Sequence, residues 1–350
     1  MIIFLKMLLF FISQKTKILE NIIMTWEEEL QNCITDSHSI DRQSLHLTPY
    51  MNNLIETTHS IALQKQFIPH TPMCDFHFLN DYLQEETYMP IPNLIHRYKS
   101  KVIIIATGQC ACYCQFCTRQ RITRSGEIRF DNFEKILDYI KKHPEINDVL
   151  VTGGDPLILS TKKIFSILWE IEKIDNVKVI RVGTRIPITL PKRIDGELIE
   201  ALRTFNRLYI NIHINHPDEL TPSSKEAILS LADAGIPLGS QSVFLKGIND
   251  NYNILKNLFE QLIQIKVKPY YLYQCDQVRG CEDFIADVRK GIDIINKLCN
   301  QVSGFAVPKF VVDTPEMGKM VLAPCSINKV DGDMFYLSNS NGQCSYKTDK

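Results

Sequence analysis

Three cysteines in the first half of the chain have the type and spacing of metal ligands. Cys110, Cys114 and Cys117 form a C-x3-C-x2-C triplet that directly follows the apolar run from Lys101 to Ala106. Cysteine thiolates are the usual ligands of iron–sulfur clusters, and a [4Fe–4S] cluster with only three protein ligands keeps one iron open. The triplet therefore predicts a cluster whose open iron binds and activates a further molecule.

Two other interpretations of these cysteines, a structural zinc site and a disulfide framework, have weaker support. A structural zinc site needs a fourth ligand, and Cys112 lies close by, but neighbouring strand-like positions do not easily close a tetrahedron. No second C-x-x-C follows downstream. A disulfide framework is disfavoured because the chain has 11 cysteines, an odd number, scattered without a regular spacing. The iron–sulfur interpretation is therefore preferred.

Basic residues flank the triplet on both sides. Arg119, Arg121 and Arg124 follow it directly, and an arginine binds a carboxylate through two parallel hydrogen bonds. The alternative is a solvated basic loop, which suits at least one of the three. Arg97 and Lys101 precede the triplet and would serve a phosphate group, unless they are only charges at the start of a strand.

Five later residues extend the list of candidates. Gly153 and Gly154 lack a Cβ, so the backbone can approach a ligand there, unless the pair only forms a tight turn. Asp276 and Asp313 would suit an ammonium group if they share a pocket, although either could instead cap a helix. Lys319 would form a Schiff base with a carbonyl cofactor if its pocket is desolvated, but most lysines are surface charges.

The elements that must position these residues form a regular alternation of apolar, β-branched runs and amphipathic helical patterns. Strands are predicted at residues 101–106, 148–152, 177–182, 207–213, 238–244, 267–274 and 307–312. Helices are predicted at 131–142, 161–173, 195–204, 222–234, 251–264 and 286–299. Near-continuous apolar strands are typical of a parallel sheet that helices cover. Six βα units and a last strand predict an α/β fold with an incomplete parallel (β/α)6 barrel, since a full barrel needs eight units.

The unusual residues fall at the carboxyl ends of these strands, where such barrels carry their chemistry. The successive strand ends carry the cysteine triplet, Thr152–Pro156, Gly183–Arg185, His213–His216, Gln241–Ser242, Tyr273–Asp276 and Asp313. His213 and His216 are more often satisfied loop or core histidines, and no nearby carboxylates support a second metal site. The shared placement nevertheless indicates one site at one end of the barrel.

Composition narrows the class of protein. The chain has 350 residues, 45% hydrophobic and 23% charged, which are values of a globular protein with a sizeable core. A formal net charge of -1 gives no support to nucleic acid as a partner. Cysteines without a pairing pattern favour a reducing compartment, hence a cytoplasmic protein.

The ends of the chain differ from its centre. Residues 1–12 are apolar but too short to span a bilayer as a helix, and no small-residue cleavage site follows. We interpret residues 1–23 as an upstream extension rather than a peripheral membrane anchor. Residues 24–95 are predicted to form an N-terminal helical region, 96–313 the partial barrel, and 314–350 a C-terminal segment with Lys319 and a short tail.

Taken together, these motifs resemble the lysine 2,3-aminomutase family of radical SAM enzymes, from about Asn93 to about Pro324. The motifs that carry the resemblance are Tyr113–Arg119, Thr152–Leu157, Arg181–Pro187, Asn211–Pro217, Leu231–Pro237, Gln241–Val243, Gly247–Asp250, Pro269–Tyr271 and Val311–Asp313. Their number and common order make a chance similarity negligible. The family fold is the same partial barrel that the strand pattern predicts.

The resemblance implies three cofactors and a role for each matching residue. The [4Fe–4S] cluster would be held by Cys110, Cys114 and Cys117, and S-adenosylmethionine (SAM) on its open iron by Gly153, Gly154, Asp155, His213 and Gln241. Pyridoxal 5′-phosphate would be carried by Lys319, with its phosphate near Arg97 and Lys101. The family usually has arginine at the second of these positions. Substrate lysine would be held by Arg119 at its carboxylate and by Asp276 and Asp313 at its ε-ammonium.

The implied reaction is the interconversion of L-lysine and L-β-lysine by migration of the amino group from C2 to C3. Alternatives within the family are a supply of β-lysine for modification of elongation factor P, or a 2,3-aminomutase for another amino acid. Arginine is cationic and stays open, whereas Asp276 and Asp313 disfavour glutamate. A non-catalytic iron–sulfur sensor ranks low because the triplet and Lys319 are both present.

The resemblance also implies partners and differences. A reductant protein such as flavodoxin or ferredoxin would supply the electron, and family habit favours a homo-oligomer. The glycine-rich run before the lysine is reduced here to Glu316–Gly318, which could shift Lys319. The tail has only Cys325 and Cys344, so no zinc site between subunits is expected.

Overall fold

The centre of the fold is a sheet of nine strands, each hydrogen-bonded to its neighbours in chain order. The strands are β1 (Leu94–Tyr98), β2 (Lys101–Thr107), β3 (Asp148–Gly153), β4 (Val179–Thr184), β5 (Leu208–His213), β6 (Leu238–Phe244), β7 (Val267–Gln274), β8 (Lys309–Thr314) and β9 (Gly318–Ala323). This computed structural model describes residues 45–70, 78–123, 130–324, 327–331, 334–339 and 342–347. The predictions for residues 1–44, for Arg124 and for Cys325 lie outside the described residues.

Strands β2 to β8 run parallel, and helices connect most of them. The helices are α1 (Pro49–Thr58), α2 (Ile61–Phe67), α3 (Gln120–Thr123), α4 (Phe133–Lys142), α5 (Thr161–Glu172), α6 (Ile186–Thr189), α7 (Gly196–Leu202), α8 (Pro222–Asp233), α9 (Tyr252–Gln264) and α10 (Val288–Leu298). The predicted alternation is confirmed, as is the incomplete barrel, because β1 and β9 are not paired with each other.

The helices begin where the sequence supplies caps, and they bury one face against the sheet. The side chains of Ser160, Thr221 and Asn251 accept hydrogen bonds from backbone N–H groups in the first turns of α5, α8 and α9. Each such cap contributes about 1 kcal/mol to stability. In α4, Ile136 and Ile140 are fully buried in the main hydrophobic core. The core therefore lies between the sheet and its helices and holds the strand ends in fixed positions.

Both edges of the sheet carry an antiparallel strand that the sequence pattern did not predict. β1 runs antiparallel to β2, and β9 runs antiparallel to β8. The β8–β9 hairpin places Asp313 opposite Lys319 and Thr314 opposite Gly318. Because facing residues of an antiparallel pair project on the same side, this register brings the candidate lysine beside a candidate aspartate.

Side chains bridge the open seam between the two edge strands. The Arg97 guanidinium donates hydrogen bonds to the backbone carbonyls of Thr314 and of Pro315, the latter at 2.8 Å. The Lys319 N–H donates to the Tyr98 hydroxyl at 3.0 Å. The sheet is therefore curled enough for its first and last strands to contact each other through these groups.

The N-terminal helices with the cysteine loop, and the C-terminal strands, lie outside this sheet. The Gln115 N–H in the cysteine loop donates to the Gln66 carbonyl at the end of α2, at 2.9 Å. The C-terminal residues form an antiparallel sheet of β10 (Ile327–Asp331), β11 (Met334–Asn339) and β12 (Gly342–Lys347). Among the described residues, no helix has the length and apolar character needed to cross a membrane.

Candidate active site

The cysteine loop follows β2 and packs tightly against the end of β3. The Gly154 N–H donates to the Thr107 carbonyl at 2.6 Å, and the Asp155 N–H donates to the Gln109 carbonyl at 2.7 Å. A Cβ on Gly153, whose φ is +137°, would lie 2.2 Å from the Thr107 carbonyl oxygen, and one on Gly154 would lie 2.1 Å from that of Gln109. The absence of a Cβ at both glycines thus lets the cysteine loop sit directly on the strand end.

The three thiols of the triplet are half-buried and close enough to interact electrostatically. Burial raises the pKa of Cys110 and of Cys114, and it raises the pKa of Cys117 to about 12. Neighbouring cysteines of the triplet add to the effect at Cys110 and Cys117. Such thiols become thiolates only when a cation compensates their charge, as a bound metal does. The loop is therefore suited to an iron–sulfur cluster rather than to reactive free thiols.

Cys112 has a separate role in the same loop. Its sulfur accepts a hydrogen bond from the Thr48 N–H at 3.4 Å, and its side chain packs with Met51 and Leu63 of the N-terminal helices. No group of three or more His, Cys, Asp or Glu side chains in the described parts of the chain is arranged to hold a single metal ion. The Cys112 side chain is thus engaged with the N-terminal helices.

Asp155 and His213 lie beside this loop and are buried in different ways. The Asp155 carboxylate accepts hydrogen bonds from the Thr184 hydroxyl at 2.7 Å and from the Arg185 N–H at 2.5 Å, while burial raises its pKa to about 6. The His213 ring stacks on Phe116 with centroids 5.4 Å apart. Burial and then Arg185 lower the pKa of His213, so the imidazole is neutral. Its Nε2 has no hydrogen-bond partner among the described residues and is left for a ligand.

Lys319 projects from β9 into a second group of polar side chains. Its Nζ donates to the Tyr273 hydroxyl at 2.8 Å and lies 3.6 Å from a carboxylate oxygen of Asp313. The same Nζ lies 4.9 Å from the ring centroid of Tyr271. The Gln241 amide also donates to the Tyr273 hydroxyl, at 3.5 Å. With the shortened run before Lys319, the amine is in contact with residues of two other strands, β7 and β8.

Asp276 and Asp313 form an acidic pair next to Lys319. Burial and then the charge of Asp313 raise the pKa of Asp276 to about 7. Oδ1 of Asp276 is buried without a hydrogen-bond partner among the described side chains and backbone. A buried carboxylate with a like charge nearby favours the binding of a cation, which would compensate both. The pair is thus suited to an ammonium group.

Arg119 lies near both the cysteine triplet and the acidic pair, and its guanidinium is held by Glu85. Its guanidinium makes a bidentate contact to the Glu85 carboxylate, with the shortest N–O distance 2.7 Å. Burial lowers the pKa of Arg119, but the charges of Glu85, Cys117 and Asp276 outweigh it and leave the pKa raised. Arg119 therefore interacts electrostatically with Cys117 of the triplet and with Asp276 of the acidic pair.

Arg97 and Lys101 flank Tyr98, whose hydroxyl contacts the Lys319 backbone. The Arg97 guanidinium lies 5.9 Å and the Lys101 ammonium 5.6 Å from the centroid of the Tyr98 ring. Arg97 is partly buried by its contacts with the turn before β9, whereas Lys101 is exposed. The two cations therefore lie on the β1 side of the pocket that contains Lys319.

Gly318 is required by the position of Tyr98. Its φ is +73°, and a Cβ there would lie 2.7 Å from the Tyr98 hydroxyl. We expect Gly318→Ala to lower the free energy of unfolding by about 2 kcal/mol, because a non-glycine residue pays roughly 1–2 kcal/mol in this conformation and Tyr98 must also move. Denaturant unfolding measures the change. Gly304→Ala is the matched control, since a Cβ there meets nothing within 4 Å, and equal stability of the two variants would contradict the prediction.

Sequence reasoning did not single out four of the residues found here. Arg185 donates to the Cys114 sulfur, Glu85 holds Arg119, and Tyr273 and Tyr98 contact Lys319. Arg185 and Tyr273 lie in strand-end segments that the sequence marked, so that position was the available signal. Glu85 and Tyr98 precede the predicted barrel strands, and nothing in their local sequence marks them.

Comparison with known proteins adds an independent finding. Residues 104–258 match the family model described as the Radical SAM superfamily. An L-lysine 2,3-aminomutase from Fusobacterium nucleatum is 41% identical over 300 residues, which cover 83% of this chain and 69% of that protein. One from Clostridium subterminale is 39% identical over 305 residues, covering 85% and 73%. A glutamate 2,3-aminomutase from Clostridioides difficile is 39% identical over 240 residues, covering 68% and 57%.

Proposed function

Because this chain belongs to the lysine 2,3-aminomutase family of radical SAM enzymes, we propose that it interconverts L-lysine and L-β-lysine. The observation that carries the choice of substrate is the acidic pair, Asp276 and Asp313, beside the amine of Lys319. A cationic side chain compensates these two carboxylates, whereas the carboxylate side chain of glutamate would add a third negative charge to the pocket.

Three groups supply the radical chemistry when bound, and the chain's residues hold them. The reduced [4Fe–4S] cluster and SAM supply a 5′-deoxyadenosyl radical, and pyridoxal phosphate supplies a conjugated ring that stabilises an adjacent carbon radical. Cys110, Cys114 and Cys117 are proposed as the cluster ligands, supported by their shared burial.

Of the residues proposed to bind SAM, His213 and Gln241 would contact it through their side chains, and the others would act through the backbone. His213 presents a neutral ring with a buried, unpartnered Nε2, which suits a hydrogen bond to SAM. Gln241, on the neighbouring strand, has its amide directed at Tyr273 and is proposed as a second contact. Gly153, Gly154 and Asp155 are proposed to act through the backbone, because the two Cβ positions face the cysteine loop and the Asp155 carboxylate already has protein donors.

Lys319 is proposed as the residue that carries pyridoxal phosphate. Burial and the nearby Asp313 raise the pKa of Tyr273, so its hydroxyl stays protonated and holds the Lys319 amine in place. Arg97 and Lys101, on either side of Tyr98, are proposed to neutralise the cofactor phosphate. An arginine binds phosphate through paired hydrogen bonds, and a lysine binds it as a point charge.

The substrate is proposed to lie between Arg119 and the acidic pair. Arg119 would bind the α-carboxylate, and its contact with Glu85 would hold the guanidinium plane in one orientation. Asp276 and Asp313 would take the ε-ammonium. Fixing both ends of a flexible amino acid presents its C2 and C3 to the radical source in one geometry, which lowers the entropic part of the barrier.

The ionisation of Asp276 makes lysine binding depend on pH. Its pKa of about 7 in the free protein means that the carboxyl is protonated, and neutral, at lower pH. We expect the KM for lysine to rise as the pH falls below about 7 and to be constant above it, because the ammonium binds the carboxylate form. A pH profile of KM measures this. Asp276→Asn should show, at every pH, the high KM that the wild type reaches only at low pH, and so remove the dependence; a wild-type KM that is flat through this range contradicts the assignment.

An anaerobic turnover assay tests the proposed function. Reconstituted protein is incubated with SAM, pyridoxal phosphate and dithionite, and separate tubes contain lysine, arginine or glutamate. Products are identified by chromatography and mass spectrometry. We expect β-lysine from the lysine tube and no β-amino acid from the others. SAM cleavage without any β-amino acid would retain the radical chemistry but refute the substrate, and a product from arginine would favour the arginine aminomutase.

The partners follow from the same chemistry. We propose a flavodoxin- or ferredoxin-type protein as the one-electron donor and the cytoplasm as the location, since the described cysteines are all free thiols. A homo-oligomer is proposed from family habit alone. Turnover with each reduced donor protein in place of dithionite tests the first of these proposals.

A further inference from the structure

Arg185 makes an unusual contact for a buried cation. The residue follows β4, is 7% exposed, and its Nη1 donates to the Cys114 sulfur at 2.8 Å. Its guanidinium also lies 4.4 Å from the ring centroid of Phe67 and 5.4 Å from that of Phe116. A buried charge is stable only when partners surround it. The sulfur of a candidate cluster ligand is therefore one of the partners of a positive charge that has little access to water.

A second buried charge balances Arg185 on its other side. Nη2 of Arg185 donates to the Glu219 carboxylate at 3.0 Å, and Glu219 is fully buried. The other Glu219 oxygen accepts from the N–H groups of Asn215 and His216 at 3.0 and 2.9 Å and from the Gln66 amide at 3.1 Å. These bonds fix the carboxylate, which in turn fixes the direction of the guanidinium.

Gln66 connects this charge pair to the N-terminal helices. Its side-chain oxygen accepts from Arg185 at 2.7 Å, and its backbone carbonyl accepts from the Gln115 N–H of the cysteine loop at 2.9 Å. The end of α2 is thus attached both to the loop that contains Cys114 and to the arginine that contacts Cys114. Gln66 therefore links the guanidinium to the cysteine loop, in addition to the direct contact between Arg185 and Cys114.

We propose that Arg185 is a positioning residue that sets the reduction potential of the cluster through its hydrogen bond to the Cys114 sulfur, with Glu219 as the opposing charge. This inference rests on the proposed role of Cys114 as a cluster ligand. Hydrogen bonds to the sulfurs and the net charge nearby are determinants of iron–sulfur potentials. Reduction adds a negative charge to the cluster, so the guanidinium stabilises the reduced form and the Glu219 carboxylate destabilises it.

The midpoint potential of the reconstituted cluster tests this, by redox titration followed by EPR without substrate. We expect Arg185→Met to lower the equilibrium constant for reduction about tenfold, which is about 59 mV for one electron. Glu219→Gln should shift the potential upward, since it keeps an oxygen for the backbone donors but removes the negative charge. A purely structural ion pair would not give shifts of opposite sign.

Arg207→Met is the matched control. Arg207 precedes β5 at the amino-terminal end of the strands and pairs with Glu172 at 3.3 Å, so it should leave the potential unchanged. Unchanged potentials in Arg185→Met and Glu219→Gln, or shifts of the same sign, would overturn the inference. If Arg185→Met fails to bind iron, Glu219→Gln tests the inference by itself, and its potential must lie above that of the wild type. Absence of a cluster in the wild-type protein would instead refute the proposed function, on which the inference depends.

Discussion

Lys319→Ala is expected to reduce the formation of β-lysine by about 10⁴-fold or more, a loss typical for removal of a residue that bonds covalently during catalysis. The amine of Lys319 is held by Tyr273 and lies beside Asp313. Turnover and the visible absorbance of bound pyridoxal phosphate measure the effect. The variant should lose both while it keeps a normal iron content.

Lys309→Ala is the control for this variant. Lys309 begins β8, at the opposite end of that strand from Asp313, and its side chain is exposed. It should bind pyridoxal phosphate and turn over as the wild type does. If Lys319→Ala retained the absorbance of the bound cofactor after reduction with borohydride, another lysine would carry it, and the assignment of Lys319 would be wrong.

Serine substitution of the triplet is expected to abolish cluster binding. Cys114→Ser removes one thiolate of three, and serine is a poor ligand for an iron–sulfur cluster. We expect the iron content after reconstitution to fall to near background and SAM cleavage to become undetectable. Iron and sulfide assays with EPR of the reduced protein measure this, and Cys110→Ser and Cys117→Ser should behave alike.

Cys112→Ser is an internal control within the same loop. Its sulfur accepts from the Thr48 N–H and packs against the N-terminal helices, and a serine hydroxyl is able to keep the hydrogen bond. This variant should bind iron normally and lose only about 1 kcal/mol of stability through the smaller side chain. Loss of the cluster in Cys112→Ser, with retention in one triplet variant, would reassign the ligands.

The parallel strands and their helices were predictable because each has a strong local pattern. Runs such as Val102–Ile105 are apolar without interruption, and a buried parallel strand needs no other signal. The edge strand β1 was missed because it lacks such an uninterrupted apolar pattern. β1 contains His96 and Arg97 because one of its sides lacks a neighbouring strand, so its composition does not resemble that of the central strands.

The candidate ligands were predictable where several cysteines lie close in sequence, and the supporting residues were not. Cys114 and Arg185 are 71 positions apart, and Arg119 and Glu85 are 34 apart. Single arginines and glutamates are common at any surface, so only the folded arrangement distinguishes those with buried partners. The close approach at Gly153 and Gly154 was predicted, but the partner there is the cysteine loop's own backbone.

The seam between β1 and β9 determines when the pocket can form. The contact between Lys319 and Tyr98 joins residues 221 positions apart, and the bonds from Arg97 to Thr314 and Pro315 span 217 and 218. Contacts of such long range form late, because the intervening chain must be ordered first. During synthesis the cysteine loop leaves the ribosome some 200 residues before the lysine. The backbone contacts of the cysteine loop, from Gln115 to Gln66 and from Gly154 to Thr107, span fewer than 50 positions, so this loop depends far less than the lysine pocket on closure between the two ends of the sheet.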